Sequence, residues 1–148
     1  MSLANDCKVI RHSNAVAAGT STITPSAGVD VSGFNSCAFL AAFGAIVSGA
    51  ATSIEVHQSD DDGDADAYSA LEGTKVTVAD DDDNQVAVVE VLRPQKRYLK
   101  CIVNRATQNA TLDGIIAVLG DAASLPTTHD SSTVVDAEVH VAPDEGTA

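Results

Sequence analysis

The sequence contains no tryptophan, and its few phenylalanine and tyrosine residues bring the aromatic fraction to only 3%. Hydrophobic residues still make up 45% of the 148 residues. This is enough for one domain whose core is built from Val, Ile, Leu and Ala side chains. Sugar-binding faces usually stack their ligand on Trp or Tyr rings, so the shortage of aromatics counts against a carbohydrate-binding module.

Basic residues are also scarce, since 8 Lys and Arg stand against 21 Asp and Glu and give a formal net charge of −13. Phosphate groups and anionic membranes both attract basic surfaces, so this balance argues against nucleic acid and membranes as partners. The longest apolar run, Cys37–Val47, is far shorter than the roughly 20 residues of a membrane-spanning helix. Residues 1–12 show no secretory signal. We therefore predict a soluble protein made in the cytoplasm.

Cysteine occurs three times at wide spacing, as Cys7, Cys37 and Cys101. A disulfide framework or a metal site would need closer and more regular spacing. Cys37 and Cys101 stand at apolar positions of predicted strands, where a free thiol behaves as a small hydrophobic side chain. The sequence therefore predicts buried, unpaired thiols.

Short apolar and β-branched runs recur along the chain between turns rich in Gly, Pro, Asp and Asn. The central stretch predicts a β-hairpin in which Val86–Leu92 and Arg97–Val103 flank a Pro-containing turn at 93–96. About eight such strands, with no confident helix, predict an all-β fold. The spacing is typical of an antiparallel β-sandwich of jelly-roll type.

Three further strands have predicted faces. Ser36–Ile46 is apolar on both faces, which indicates a strand buried on both sides. Thr52–Ser59 alternates and predicts one core face and one solvated face. Ala110–Leu119 closes the domain, and Gly114 marks a bulge in it. The predicted inner side chains of this last strand are Leu112, Ile116 and Val118.

The chain divides into an extended N-terminal arm at 1–18, the sandwich at 19–120 and a C-terminal extension at 121–148. The extension begins with small, polar and Pro-interrupted sequence, then alternates at 134–141 (VVDAEVHV) as a strand would. A strand on such an extension is typical of a segment that pairs with another subunit.

Carboxylates cluster in a loop at 60–66, where Asp60, Asp62 and Asp64 are weak candidates for binding a divalent cation. The loop lacks the Gly and Glu positions of an EF-hand, so a solvated turn is the favoured interpretation. The four histidines are scattered, and no nucleophile elbow, Cys-His pair or phosphate-binding Gly loop is recognisable. We predict no enzyme activity, no cofactor and no resident metal.

Five of the eight basic residues fall within 93–105. These residues could neutralise the acidic loops across the sheet, a surface effect worth little per pair. They could equally dock onto an acidic partner, and the sequence leaves both open. The arm adds two further basic residues, and the strand predicted in the extension adds apolar ones. The candidate contact residues are Lys8, Arg11, Arg93, Lys96, Arg97, Lys100, Val135 and Val139.

Four motifs stand in order within Val29–Gly120: GFNS at 33–36, VHQSDDDG at 56–63, KRYLK at 96–100 and GIIAVLG at 114–120. In their order and spacing they resemble motifs of small head proteins of tailed bacteriophages, which are encoded near the major capsid protein. The long tail after Gly120 departs from that family pattern.

The resemblance implies a jelly-roll β-sandwich that decorates or cements the outer surface of the capsid. It implies the major capsid protein as partner, a location on the virion after synthesis in the host cytoplasm, and a homo-oligomer, with a trimer favoured. The alternatives are another virion component, such as a head–tail connector or a tail-associated protein, and a carbohydrate-binding β-sandwich.

Overall fold

Two antiparallel five-stranded sheets pack face to face in the computed structural model, which describes residues 1–147. Within these residues the chain forms one short helix, α1, at Leu3–Asp6. The strands are β1 (Lys8–Ser13), β2 (Val16–Gly19), β3 (Val29–Asp30), β4 (Phe34–Ile46), β5 (Ala51–Ser59), β6 (Ser69–Ala70), β7 (Val76–Val78), β8 (Val86–Leu92), β9 (Tyr98–Ala106) and β10 (Ala110–Ala122).

The strand order is that of a jelly roll. Sheet A has the order β1–β10–β4–β8, with β2 also paired to β10. Sheet B has the order β3–β9–β5–β6, with β7 also paired to β5. If β1 with β2, and β6 with β7, each count as one strand, the chain crosses to the other sheet at every connection except that after β5. The predicted all-β, antiparallel sandwich is therefore confirmed, and two interlocked Greek keys of this kind define the jelly roll.

The core lies between the sheets and is aliphatic except for two phenylalanines and two cysteines. Phe39 and Phe43 of β4 are at most 2% exposed and lie among buried Ile, Val, Leu and Ala side chains of both sheets. All three cysteines are buried and unpaired, as predicted. Burial is the main cause that raises the pKa of the Cys37 and Cys101 thiols to about 12. These thiols are therefore packing groups.

A bulge in β10 changes which residues face the core. Leu112 points inward as predicted, and the register against β4 shifts between Leu112 and Gly114, where φ is +147°. Because a one-residue insertion reverses the inward and outward positions, Ile115 becomes fully buried beyond the bulge and Ile116 is 37% exposed. The predicted bulge is confirmed, but the predicted inner positions Ile116 and Val118 are wrong.

The predicted hairpin does not form, although both of its strands do. β8 pairs with β4 in sheet A, whereas β9 pairs with β5 and β3 in sheet B. The connection between them crosses the roughly 10 Å between packed sheets. It begins at Arg93, which has a positive φ of 53° and donates its N–H to the Asn35 carbonyl at 2.7 Å. Two apolar runs around a breaker fit this crossing as well as they fit a hairpin.

The N-terminal segment belongs to the sandwich. β1 pairs with β10 from Lys8↔Leu119 to Ser13↔Ile115, and β2 continues along the same strand. Ile10 packs against the core. The predicted arm at 1–18 is therefore wrong for most of its length, since the polar break near Asn14 is the bend between two paired strands.

The residues after β10 form no strand within 123–147 of the single chain. The strand at 134–141, expected to pair with another subunit, stays a prediction. This tail is tied near its start to the N-terminal segment. The N–H of Thr127 donates to the Asn5 carbonyl at 2.8 Å, and its hydroxyl donates to the Cys7 carbonyl at 2.6 Å. His129 accepts the N–H of Val9 at Nδ1 (3.2 Å).

Candidate docking surfaces

Two of the candidate cations are paired with aspartates of the same chain. Nζ of Lys96 lies 2.5 Å from Asp66 and 3.7 Å from Asp60, and the Arg97 guanidinium lies 2.8 Å from Asp30. The Arg97 hydrogen bond is the main cause that lowers the pKa of Asp30 to about 2. These pairs support the interpretation in which the cations neutralise the chain's own acidic loops.

Two more basic residues of the 93–105 stretch are buried. Nζ of Lys100 lies 4.2 Å from the ring centroid of Tyr68, and the Tyr68 hydroxyl donates to Asp62. Arg105 donates to the carbonyls of Ser21, Ala17 and Ala110, each at 2.8 Å. Arg105 thereby ties the β2 region to the start of β10. One face of the Tyr68 ring is occupied by a cation of the same chain, so it offers less surface for stacking a sugar.

The remaining cations of the candidate set lie apart. Arg11 is exposed on the outward side of β1, where its guanidinium lies close to Gly114. Arg93 is exposed at the connection after β8, and Lys8 is half-buried at the start of β1. The structure thus divides the predicted basic cluster into paired, buried and exposed residues. A contact role for this set, and for Val135 and Val139, stays a prediction.

The acidic loop at 60–66 is organised by its own backbone. Asp61 accepts the N–H groups of Asp64, Ala65 and Asp66, and these bonds lower its pKa. Asp62 accepts the N–H of Gly28. No group of three or more His, Cys, Asp or Glu side chains within residues 1–147 is placed to hold a metal ion. The described geometry is that of a hydrogen-bonded turn.

The outward side of sheet A is apolar, and the sequence prediction missed it. Three rows of paired residues cross its strands. One row contains Ile116, Leu40 and Val88, and the next contains Val118, Ala38 and Glu90. On the other side of the first row, Ala42 pairs with Val86. Val86 and Val88 are 56% and 54% exposed. A shallow depression of about 300 Å³ lies at the bulged end of these rows. We call this surface the apolar face; its residues are Ala38, Leu40, Ala42, Val86, Val88, Ile116 and Val118.

The outward side of sheet B is mostly polar, although Tyr68 covers Lys100 and Ile102 is buried. Its rows pair Ser53 with Asn104 and His57 with Lys100. Within one of its strands His57 lies 2.8 Å from Glu55. The contrast with sheet A is therefore a property of one sheet and not of the whole surface. Contiguous exposed apolar patches on soluble proteins are typical of interaction sites.

The tail carries a second exposed apolar set. Val135 is 104% exposed, Val141 is 93% exposed and Val139 is 54% exposed. A cleft of about 560 Å³ separates part of this tail from the N-terminal segment, and Leu3, Val134 and Val139 are among its lining residues. The alternating valines that predicted a strand are thus displayed without a strand partner within residues 1–147.

The geometry defines an antiparallel jelly-roll β-sandwich with one apolar sheet face and an exposed valine tail. No helix within residues 1–147 is long and apolar enough to cross a membrane. No protein-family model and no curated protein matches the sequence. Among solved structures, a chain in the structure of infectious bursal disease virus, Gx strain, is similar with a TM-score of 0.42 and 16% identity. The match covers 78% of this chain and 32% of that chain, so this chain spans about a third of the neighbour's length.

Proposed function

We propose that this protein is a non-catalytic structural component of a virion that binds the outside of a tailed-phage capsid and stabilises it. The major capsid protein would be its partner, and the decoration protein would act in many copies, as a homo-oligomer with a trimer favoured. The motifs within Val29–Gly120 that resemble small phage head proteins support this proposal. So does the net charge of −13, which suits the outer surface of a shell better than contact with packaged nucleic acid.

The exposed tail is the observation that carries the proposal. Val135, Val139 and Val141 alternate along a segment whose own chain gives it no strand partner within residues 1–147. A segment of this kind can add a strand to the free sheet edge of a neighbouring protein, where main-chain hydrogen bonds give affinity and alternate side chains fill pockets. On a shell, each weak contact is repeated across a lattice, so occupancy comes from multivalency.

The sandwich suits this role because it holds the tail at a fixed place. Thr127 and His129 fasten the start of the tail to the N-terminal segment, which is itself paired into sheet A through β1. Because the start of the tail is already held in place, this fastening limits the conformational entropy that the tail loses on docking.

The test is binding of the full-length chain to purified shells of the phage that encodes it, measured by co-sedimentation. Val135→Asp combined with Val139→Asp should reduce occupancy by about tenfold or more, because each adds a carboxylate to an apolar docking position. The matched control is Ala65→Asp with Ala67→Asp, which adds the same charge at two exposed alanines outside the tail. A wild-type chain that does not bind shells would overturn the proposed function. Full occupancy of the tail variant would overturn the role of the tail.

A further inference from the structure

Two opposite charges stand at opposite margins of the apolar face. Arg11 on β1 extends the row of Ile116, Leu40 and Val88, since it pairs with Ile116 across the strands. Glu90 lies on β8, one row along, and both charged side chains are exposed. β1 and β8 are the two edge strands of the main order of sheet A. The face is therefore apolar in the middle, with Glu90 at one margin and Arg11 at the other, where Asp113 also lines the depression at the bulged end.

Neither charge is used within its own chain. The ion pairs found within residues 1–147 involve other side chains, so neither Arg11 nor Glu90 has an oppositely charged group within 4.0 Å. Most cations of the 93–105 stretch, by contrast, are paired or buried. An unpaired Arg and an unpaired Glu that border one apolar patch are complementary to the same patch on an identical molecule.

We infer that the apolar face is the surface through which copies of this chain associate, with Arg11 of one copy opposite Glu90 of another. Both a two-fold and a three-fold arrangement can bring β1 of one copy against β8 of the next. In each of them every Arg11 meets a Glu90 of a neighbouring copy. In a two-fold arrangement the pair forms twice, and in a three-fold arrangement each copy gives Arg11 to one neighbour and Glu90 to the other. The inference rests on the proposed function only where the three-fold arrangement is preferred to the two-fold one, because that function favours a trimer.

Charge favours approach by this face. Each copy has a formal net charge of −13, so most orientations of two copies repel. The acidic loop at 60–66 follows β5 of the other sheet, whereas the loop at 80–83 joins β7 to β8 at one end of sheet A, where Asp83 accepts the N–H of Ile46 at 2.6 Å. Association through sheet A replaces solvent on apolar side chains and brings together one cation and one anion at each margin.

The size of the face sets the expected strength. Four strands about 4.8 Å apart and rows spanning about six residues give roughly 400 Å² of flat sheet. A standard specific interface buries about 800 Å² on each partner. The self-association should therefore be weak in solution, with a Kd in the micromolar to millimolar range, and should be strengthened where a shell holds copies close together.

Sedimentation velocity on the full-length chain without shells tests the inference. Arg11→Glu and Glu90→Arg should each raise the self-association Kd by about tenfold, and the double exchange should restore it to within about threefold of wild type. The matched controls are Lys75→Glu and Glu72→Arg, which make the same charge changes at exposed positions outside sheet A. Both controls should leave the Kd within about threefold.

Val88→Asp is a second probe, because it places a carboxylate in the middle of the face at a side chain that is already exposed. It should abolish association while the far-UV spectrum and Tm stay close to wild type. A wild-type chain that remains monomeric up to roughly 1 mM would overturn the inference, and so would unchanged association of the single charge variants or of Val88→Asp. Shell binding without self-association would overturn this inference alone, whereas self-association without shell binding would overturn the proposed function alone.

Discussion

Acidification from pH 7.5 to pH 5.0 should destabilise the protein by about 2 kcal/mol through one histidine, His12. This side chain lies on β1 beside Phe39, with 5.1 Å between the ring centroids. Its Nε2 accepts the N–H of Cys101 at 3.1 Å. Burial first, and the positive charge of Lys100 second, lower the pKa of His12 from 6.5 to about 4, although Asp62 acts in the opposite direction.

The local fold explains why a histidine is held here. β3 covers β9 only at Leu99 and Tyr98, and the next contact on that edge is the bridge from Ile23 to Val103. The N–H of Cys101 lies between these two contacts and needs an acceptor in a half-buried place. His12 supplies the acceptor, and protonation at Nε2 would remove it.

The lowered pKa of His12 determines the direction in which stability changes with pH. Between pH 6.5 and pH 4 the unfolded chain binds a proton at His12 and the folded chain does not, so stability falls as the pH falls. A shift of 2.5 units corresponds to about 3 kcal/mol in full, of which about 2 kcal/mol is lost by pH 5.0. The pKa of Asp30, lowered to about 2, costs stability only below its unfolded value near 3.8 and so acts in a more acidic window.

Urea unfolding of wild type and His12→Gln at the two pH values measures the effect. The variant should lose about 2 kcal/mol less than wild type on acidification, because glutamine does not titrate. His140→Gln is the matched control, since it removes a histidine whose side chain is 66% exposed, and the difference between the two variants isolates the contribution of the buried ring. Equal losses in wild type and His12→Gln, or an NMR titration of the His12 ring with a midpoint near 6.5, would refute the argument.

Two further changes test the framework of the sandwich. Gly114→Ala should destabilise the folded protein by about 2 kcal/mol, because φ is +147° and the new Cβ would lie 3.2 Å from the Ser13 carbonyl oxygen. Thermal unfolding measures this loss, and Gly146→Ala is the control because a Cβ there would have nothing within 4 Å. Arg105→Met should cost about 3 kcal/mol, because three carbonyl oxygens lose their donor in a buried place. Arg93→Met, at an exposed position, should change the unfolding free energy by less than about 0.5 kcal/mol, and equal effects of the two arginine changes would contradict the assignment.

The strands could be predicted from the sequence because alternation and turn residues are local signals. The sequence predicts the bounds of Val86–Leu92 to the residue, and one glycine inside an apolar run predicts the bulge at Gly114. The partners of these strands could not be predicted, because pairing depends on loops that close over long sequence separations. The same Pro-containing connection at 93–96 serves a hairpin within one sheet or a crossing between two sheets.

The bulge shows how a correct local prediction can still give a wrong face. Once an extra residue is inserted at Gly114, every later position in the strand reverses, so Ile115 enters the core and Ile116 leaves it. The position of the insertion relative to Leu112 is set by the register with β4. That register is a tertiary property, and the sequence of β10 alone does not contain it.

The apolar face was missed for a related reason. The sequence predicts a strand buried on both sides for Ser36–Ile46, and for Val86–Leu92 it predicts a hairpin strand without assigning an outer face. β8 is instead an edge strand with one side in the core and the other exposed. In β4 as well, one row of residues is buried and the outward row is only half-buried. Because these two adjacent strands are largely apolar on both sides, they leave exposed apolar side chains such as Val86 and Val88 on the outer side of sheet A. These exposed apolar side chains lie between Arg11 and Glu90, which is why we assign the apolar face to contact between copies.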